Sequence, residues 1–376
     1  MSDITEALRE RVLAAAVDKQ PLRIRGGGTK DFYGNPPEGE LLETAGHAGI
    51  VAYEPTELVV TVRAGTRLAE LEAALAEQGQ MLAFEPPHFG GGERKSQPPH
   101  FGGGERKSQP PHFGDATVGG CVAAGLSGPR RATAGAARDY VLGVKLLSGS
   151  GEILNFGGQV MKNVAGYDVS RLMTGAMGTL GLLLEVSLKV LPKPHAEATL
   201  RLELPQDKAI EAINRWGGQP LPLSATCWND GLLSVRLSGA RAAVAAARER
   251  IGGEAVAESE GFWRALREQQ MDFFSGETAL WRLSLPSKAA PLDLPGSPLI
   301  EWGGAQRWLK SDAPAAAMLR EAAARAGGHA TLFRGGDKSM GVFQPLPEPL
   351  LQIHSKLKRT FDPQGLFNPG RLYSGF

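Results

Sequence analysis

With 376 residues, 42% of them hydrophobic and 22% charged, the chain is long enough for two domains with separate cores and has an ordinary soluble composition. A net charge of +1 leaves no global field to steer it toward nucleic acid or an anionic membrane, so any anion site must be local. Two cysteines, Cys121 and Cys227, exclude a disulfide scaffold, a four-cysteine zinc site and a self-contained iron–sulfur cluster, and point to a reducing compartment.

Taken from the start, Ile4, Leu8, Val12 and Ala15 share one face of a helical pattern with charges between them. The segment lacks a long apolar core, so it reads as an amphipathic surface helix, not a signal peptide or membrane span. A short apolar strand over residues 22–24 leads into Arg25, Gly26, Gly27, Gly28, Thr29 and Lys30. Consecutive glycines can present their N–H groups as a concave nest, and such nests bind phosphate. The Thr29 hydroxyl and the two flanking cations suit a diphosphate, although the segment alone reads equally as a glycine-rich surface loop. Residues 58–62 are β-branched and predict a strand. Gly65 bends the chain, and Thr66 is expected to cap a helix with Leu68, Leu71 and Leu75 on one face, stopped at Gly79.

A tandem repeat follows. Residues 86–97 recur as residues 98–109, and a partial third copy covers residues 110–114, a period of 12 residues. Proline pairs and glycine triplets continue neither helix nor strand. His88, His100 and His112 form an array, but no carboxylate or thiolate stands at metal-ligand spacing, so the duplication reads as a solvated surface loop with no metal. From Gly119 through Gly125 to Gly128 the residues are mostly small, which lets a backbone lie against a flat ring or a pyrophosphate. Arg130 and Arg131 read either as a phosphate or partner contact or as an exposed basic pair. A hairpin is expected from residues 140–147 and 152–156 around the turn at Ser148, Gly149, Ser150 and Gly151. Glu185, Ser187 and Lys189 alternate with Val186, Leu188 and Val190, the pattern of a half-buried strand, and Pro192 and Pro194 close the region.

Beyond residue 195 the texture changes. Strands over 199–204 and 232–237 alternate with helices over 207–216 and 240–251, without a glycine code. Another helix is expected to start at Ser311 and Asp312, with Pro314 in its first turn and its end at Gly327. The six tryptophans read as core or interface residues. No G-x-G-x-x-G follows a strand, no Walker lysine motif occurs, and residues 125–129 miss the nucleophile-elbow spacing. His329 and His354 are isolated and read as structural. Arg334 and Lys338 are weak candidates for substrate cations.

The densest signal is the run Met161, Lys162, Asn163, Val164, Ala165, Gly166, Tyr167 and Asp168, followed by Gly178, Thr179, Leu180 and Gly181. With residues 25–30 upstream, with Thr117, Val118, Gly119, Gly120 and Cys121 between, and with Asn368 in the ending at 361–371, the order and spacing resemble a known family. It is the vanillyl-alcohol-oxidase or PCMH-type FAD-linked oxidases, and within it the FAD-binding subunits of bacterial glycolate oxidases. The resemblance covers the first half of the chain and its last residues.

The resemblance implies an α+β fold: a PCMH-type two-subdomain FAD-binding domain over 1–194, a smaller α+β cap domain over 195–340, and a segment, 341–376, returning to the flavin. It implies Arg25, Gly26, Gly27, Gly28, Thr29, Lys30, Thr117, Gly119 and Gly120 around the FAD pyrophosphate. Pro111 and Gly114, in the last repeat copy, would belong to the second cofactor loop, with Gly125 in the small-residue run after it. Gly178, Thr179, Gly181 and Val186 would lie along the cofactor, with Asn368 approaching the ring. Thr29 stands where covalent relatives carry histidine, which implies non-covalent FAD, and Arg371 stands where the family often has lysine. The implied function is that of the FAD-binding subunit of a glycolate oxidase complex, a 2-hydroxy-acid dehydrogenase. It would work in the cytoplasm with a catalytic flavoprotein and an iron–sulfur subunit, and reach the inner membrane only through them. A self-sufficient FAD oxidase of another hydroxy acid or sugar, and a structural flavin-containing subunit, are the alternatives. No catalytic base is apparent, because the histidine- and glutamate-rich metal motif of related catalytic subunits is missing.

Overall fold

The computed structural model describes residues 3–90, 115–158, 168–311 and 316–376. Helix α1 (Thr5–Asp18) precedes a parallel pair, β1 (Leu22–Arg25) and β2 (Glu40–Glu43). Then come β3 (Ile50–Glu54), β4 (Val59–Arg63), α2 (Leu68–Glu77), β5 (Gln80–Met81), α3 (Val118–Ala124) and α4 (Arg131–Ala134). The hairpin β6 (Val141–Leu147) and β7 (Ile153–Gly157), α5 (Val169–Leu172), β8 (Leu182–Lys189) and β9 (Leu191–Pro192) complete the first half. Five of these strands form one sheet in the order β3-β4-β8-β6-β7.

Burial explains the strand patterns. Val60 and Val62 of β4 and Val186 of β8 are fully buried with Leu68, Leu71 and Leu75 of α2 in one core. On the opposite side Leu8, Val12 and Ala15 of α1 pack on Leu147, Leu182 and Leu184. The apolar face of the N-terminal helix is therefore a core element, and it is why the start of β8 is buried on both sides while Glu185, Ser187 and Lys189 alternate outward. The role expected of Thr66 is corrected. Helix α2 begins at Leu68 behind Arg67 without a side-chain cap. Thr66 is instead buried and its hydroxyl pairs with both the N–H and the carbonyl of Gly49.

The second half holds β10 (Ala196–Glu203), α6 (Gln206–Gly217), β11 (Leu223–Asn229), β12 (Leu232–Gly239), α7 (Arg241–Ile251), β13 (Glu254–Val256) and α8 (Glu260–Arg267). It continues through β14 (Leu280–Ser284), β15 (Leu299–Glu301), β16 (Gln306–Lys310), α9 (Ala316–Arg325) and β17 (His329–Arg334) to α10 (Glu348–Phe361). The start expected for α9 at Asp312 and Pro314 lies outside the described residues. The eight strands form one antiparallel sheet, β13-β10-β12-β11-β15-β16-β14-β17. One face is covered by Ile210, Ile213 and Trp216 of α6 and by Val244, Ala247 and Ile251 of α7. The other carries Trp263, Trp308 and Phe333 and meets Tyr33 and Phe89 from the first half.

A buried ion network joins the two sheets. The Glu85 carboxylate accepts from the Arg130 N–H at 3.0 Å and from Arg236 at 2.9 Å, and Arg130 also reaches Glu197 at 2.6 Å. Burial pushes the Glu85 carboxyl up, but the charges and hydrogen bonds of Arg236 and Arg130 outweigh it and hold the group below its ordinary value. Arg130 is thus neither a phosphate contact nor an exposed cation. Arg131 stacks over Trp302 at 4.4 Å.

The chain end returns to its beginning. Leu22 donates to the Leu366 carbonyl at 2.7 Å, and Asn368 donates back to the Leu22 carbonyl at 2.9 Å, so residues 366–368 run alongside β1. Buried Lys358 fastens this return, donating to Asp362 at 2.7 Å and to the carbonyls of Thr179 and Phe367 at 2.8 Å each.

Candidate cofactor cleft

Where β1 ends, the chain leaves the sheet as the glycine loop. Thr44 donates to the Arg25 carbonyl through its N–H at 2.9 Å and its hydroxyl at 3.1 Å, fixing the point of departure. Any Cβ at Gly27 would overlap the Asp115 carbonyl, and one at Gly26 would overlap the Thr117 hydroxyl. The loop can lie this tightly against residues 115–117 only because both positions are glycine. Thr117 in turn caps α3, its hydroxyl accepting from the Gly120 N–H at 3.2 Å.

A third wall comes from the turn before β8. Gly178 has φ +71°, and a Cβ there would stand 2.7 Å from the Asn368 amide nitrogen. Asn368 spends its side chain on the backbone. Its Oδ1 accepts from the Ile24 N–H at 2.8 Å and its Nδ2 donates to the Met177 carbonyl at 2.6 Å. One amide thereby ties β1, the turn before β8 and the chain's end into a single rim.

These segments enclose an open cleft of about 880 Å³. Arg25, Gly26, Gly27, Gly28, Thr29, Lys30, Thr117, Gly119, Gly120, Gly178, Gly181 and Asn368 all line it. Three other positions singled out in the sequence do not. Val186 is a fully buried core residue paired in register with Val62 and Val144. Thr179 donates its hydroxyl to the Ala176 carbonyl at 2.7 Å. Gly125 caps the C-terminus of α3 at φ +63°. Pro111, Gly114 and residues 161–167 lie outside the described residues. Of the repeat, the described part is the first copy's start: the Lys30 ammonium lies 3.4 Å from the His88 carbonyl, and the N–H groups of His88 and Phe89 donate to Glu268.

The sequence reading missed Asp31, Thr44 and Ala64 in the wall, and it did not place Arg371 there. The Arg371 guanidinium donates to the carbonyls of Asn35, Lys30 and Asp31, and burial pulls its pKa down to about 10. Arg334 and Lys338 are not free substrate cations. Arg334 donates to Gln269 and the Phe274 carbonyl, and Lys338 holds the carbonyls of Phe32 and Gly34 at 2.6 and 2.9 Å. Cys121 is buried, which pushes its thiol up to about 12 and keeps it protonated.

A family model for the FAD binding domain matches residues 3–92 and 104–157. The glycolate oxidase subunit GlcE of Escherichia coli K12 is 50% identical over 372 residues, covering 99% of this chain and 98% of that protein. The chain belongs to this family of FAD-binding glycolate oxidase subunits. Glycolate oxidase subunit GlcD of Bacillus subtilis is 29% identical over 52% of this chain and 37% of its own length. In fold, alkyldihydroxyacetonephosphate synthase superposes with a TM-score of 0.62 at 15% identity, covering 97% of this chain and 74% of that one.

The residues present fit the family's FAD. Among the described residues, no protein group accepts from the N–H groups of Gly26, Gly27, Gly28 or Thr29, which belong to the cleft wall. Backbone donors in such a place need an acceptor. Two cations sit in the same wall with their charge penalised by burial: Lys30, lowered chiefly by desolvation, and Arg371. An anionic diphosphate answers both demands.

Proposed function

We propose that this chain is the FAD-carrying subunit of a glycolate oxidase complex. In it, electrons from glycolate pass through flavin to an iron–sulfur partner as glyoxylate forms. The observation that carries this is the 50% identity to GlcE over nearly the full length of both proteins, on a chain whose glycine loops converge on one cleft. In this reading the loop from Arg25 to Lys30 and the start of α3 at Thr117, Gly119 and Gly120 hold the diphosphate. Gly178 and Gly181 flank the cofactor, and Asn368 holds the rim beside it. Residues 1–194 form the flavin-binding domain and the second sheet its cap. The flavin supplies a two-electron acceptor for the hydride of a hydroxyl-bearing carbon. Thr29, in place of histidine, leaves it held without a covalent bond. The name of the relative as a subunit supports an assembly, and a catalytic flavoprotein with an iron–sulfur subunit is the partner set this reading takes. No described helix is long and apolar enough to cross a membrane, and the reading places the complex in the cytoplasm.

The visible spectrum of the purified chain tests it. Flavin bands that pass entirely into solution as free FAD on denaturation are expected. A folded chain that stays colourless with added FAD would overturn the reading. Affinity capture of the tagged chain from its own cells should bring down a second flavoprotein and an iron–sulfur protein.

A further inference from the structure

A second, smaller pocket lies between the second sheet and residues 126–129. It abuts the cofactor cleft: Phe89 lines the cavity, Lys30 lines the cleft, and the Lys30 ammonium stands 5.8 Å from the Phe89 ring. Three neighbouring strands build its polar floor. Antiparallel register sets Arg282 of β14 opposite Trp308 of β16, and Glu301 of β15 opposite Gln306 of β16.

Hydrogen bonding on that floor is incomplete. Glu301 Oε1 takes two donors, Gln306 Nε2 and Trp308 Nε1, both at 2.6 Å. Gln306, only 2% exposed, has no donor to its own Oε1 among the described residues. Arg282 gives one terminal nitrogen to the Tyr33 hydroxyl at 2.9 Å and stacks over Tyr33 and Phe333 at 5.6 Å, which fixes its plane. Its buried Nε has no partner among the described residues. A buried donor and a buried acceptor without partners, on two residues that line one aromatic-walled pocket, are costly to maintain without a ligand. Together they describe what it would carry: an anionic acceptor for the guanidinium and a hydroxyl donor for the amide oxygen.

We propose that this cavity binds a small 2-hydroxy carboxylate on this chain itself, Arg282 receiving the carboxylate and Gln306 Oε1 accepting from the hydroxyl. The proposal rests on the flavin-subunit reading and adds to it the place where the acid sits. An Arg–carboxylate contact supplies charge and orientation. Burial pushes the Glu301 carboxyl up to about 7, which spares an incoming carboxylate an opposing full charge on the same floor in the lower pH range.

The test titrates the flavin-loaded full chain with glycolate and acetate. Trp302 and Trp308 line the cavity and report by fluorescence, and the flavin difference spectrum reports beside them. Saturable binding is expected, with glycolate tighter than acetate, which lacks the hydroxyl. Arg282→Met should weaken both acids by about tenfold or more, as loss of a charge-assisted contact does. Gln306→Met should remove the preference for glycolate over acetate. Flavin retention and the thermal midpoint identify a variant that fails to fold, in which case Arg282→Lys and Gln306→Met decide. No saturable binding by the flavin-loaded chain, or equal binding by the folded variants, overturns the proposal. If the chain binds no acid while the assembled complex oxidises glycolate, the subunit reading stands and this site falls. If the chain holds no flavin, the subunit reading itself falls.

Discussion

The cofactor cleft and the cavity on the second sheet adjoin each other but are built by different means. The cleft is made of backbone: glycines that let loops touch, N–H groups that no described residue claims, and one asparagine amide tying three segments together. The cavity is made of side chains on regular strands, where register alone brings Arg282, Glu301 and Gln306 together. A backbone site tolerates almost no added atom, whereas a side-chain site can change its chemistry while the sheet beneath it persists.

The sharpest way to break this contrast is to add one carbon to the cleft. A Cβ at Gly27 overlaps the Asp115 carbonyl, a backbone atom that cannot swing away. Gly27→Ala should therefore weaken FAD binding by about a hundredfold or more, equivalent to about 2.7 kcal/mol. Flavin retained through gel filtration measures it. Arg282→Met on the second sheet should leave FAD binding within about threefold of the unmodified chain, about 0.6 kcal/mol. Equal losses in the two variants would mean that the sites are not built separately.

That asymmetry also decided what could be read from the chain alone. Residues 25–30, 117–120 and 178–181 are contiguous glycine-rich words, and backbone sites require such words, so the cleft was legible. The strand alternation of residues 185–190 was legible because one face is buried. Thr66 misled because a threonine before an apolar helical stripe has two uses, and tertiary contact with Gly49 overrode the cap. Arg130 misled because its partners, Glu85 and Glu197, lie 45 and 67 positions away. The cavity left almost no trace. Arg282 is a charged residue inside the apolar strand β14, the one signal present, whereas Glu301 ends β15 and Gln306 begins β16, and nothing local says that the three strands are neighbours.

Glu301 sharpens the contrast through pH. Its surroundings are the Trp308 indole and Gln306 amide of β16, Arg282 on β14 and the more distant Glu85, and burial dominates them, raising its pKa from 4.5 to about 7. The folded state thus keeps a proton that the unfolded state loses. The stability this confers is complete below about pH 4.5 and is lost as pH rises through about 7, by about 3 kcal/mol in all. Glu301→Gln keeps the hydrogen-bond geometry and cannot ionise. Urea unfolding at several pH values from 5 to 8 should show the unmodified chain losing stability relative to the variant. Parallel curves would mean that Glu301 titrates as an exposed carboxyl and that the cavity floor is wet.

Asn368 tests whether the cleft's rim acts through backbone alone. Asn368→Ala leaves the Ile24 N–H and the Met177 carbonyl unpaired in a largely buried place, costing about 2 kcal/mol. FAD affinity should fall by about tenfold with the loosened rim, while the flavin band positions of the bound fraction stay unchanged. A shifted spectrum would instead mean that the amide acts on the ring electronically, and the rim would no longer be purely a backbone device.

The smallest effect is expected from the largest change in sequence, removal of residues 91–114. The first copy of the repeat already supplies the contacts with Glu268 and Lys30, and the family match passes over residues 93–103. On the far side Asp115 is already seated against Gly27. Both ends are therefore held by contacts that the deletion leaves in place. Shortening a loop relieves closure entropy only slowly, by about 0.6 kcal/mol for each halving. The deleted chain should melt within a few degrees of the original and retain its flavin. If flavin is lost while the fold survives, a later copy must contribute to the cleft. The cleft would then share the cavity's dependence on residues that no local motif announces, and the contrast drawn between the two sites would fail at its backbone half.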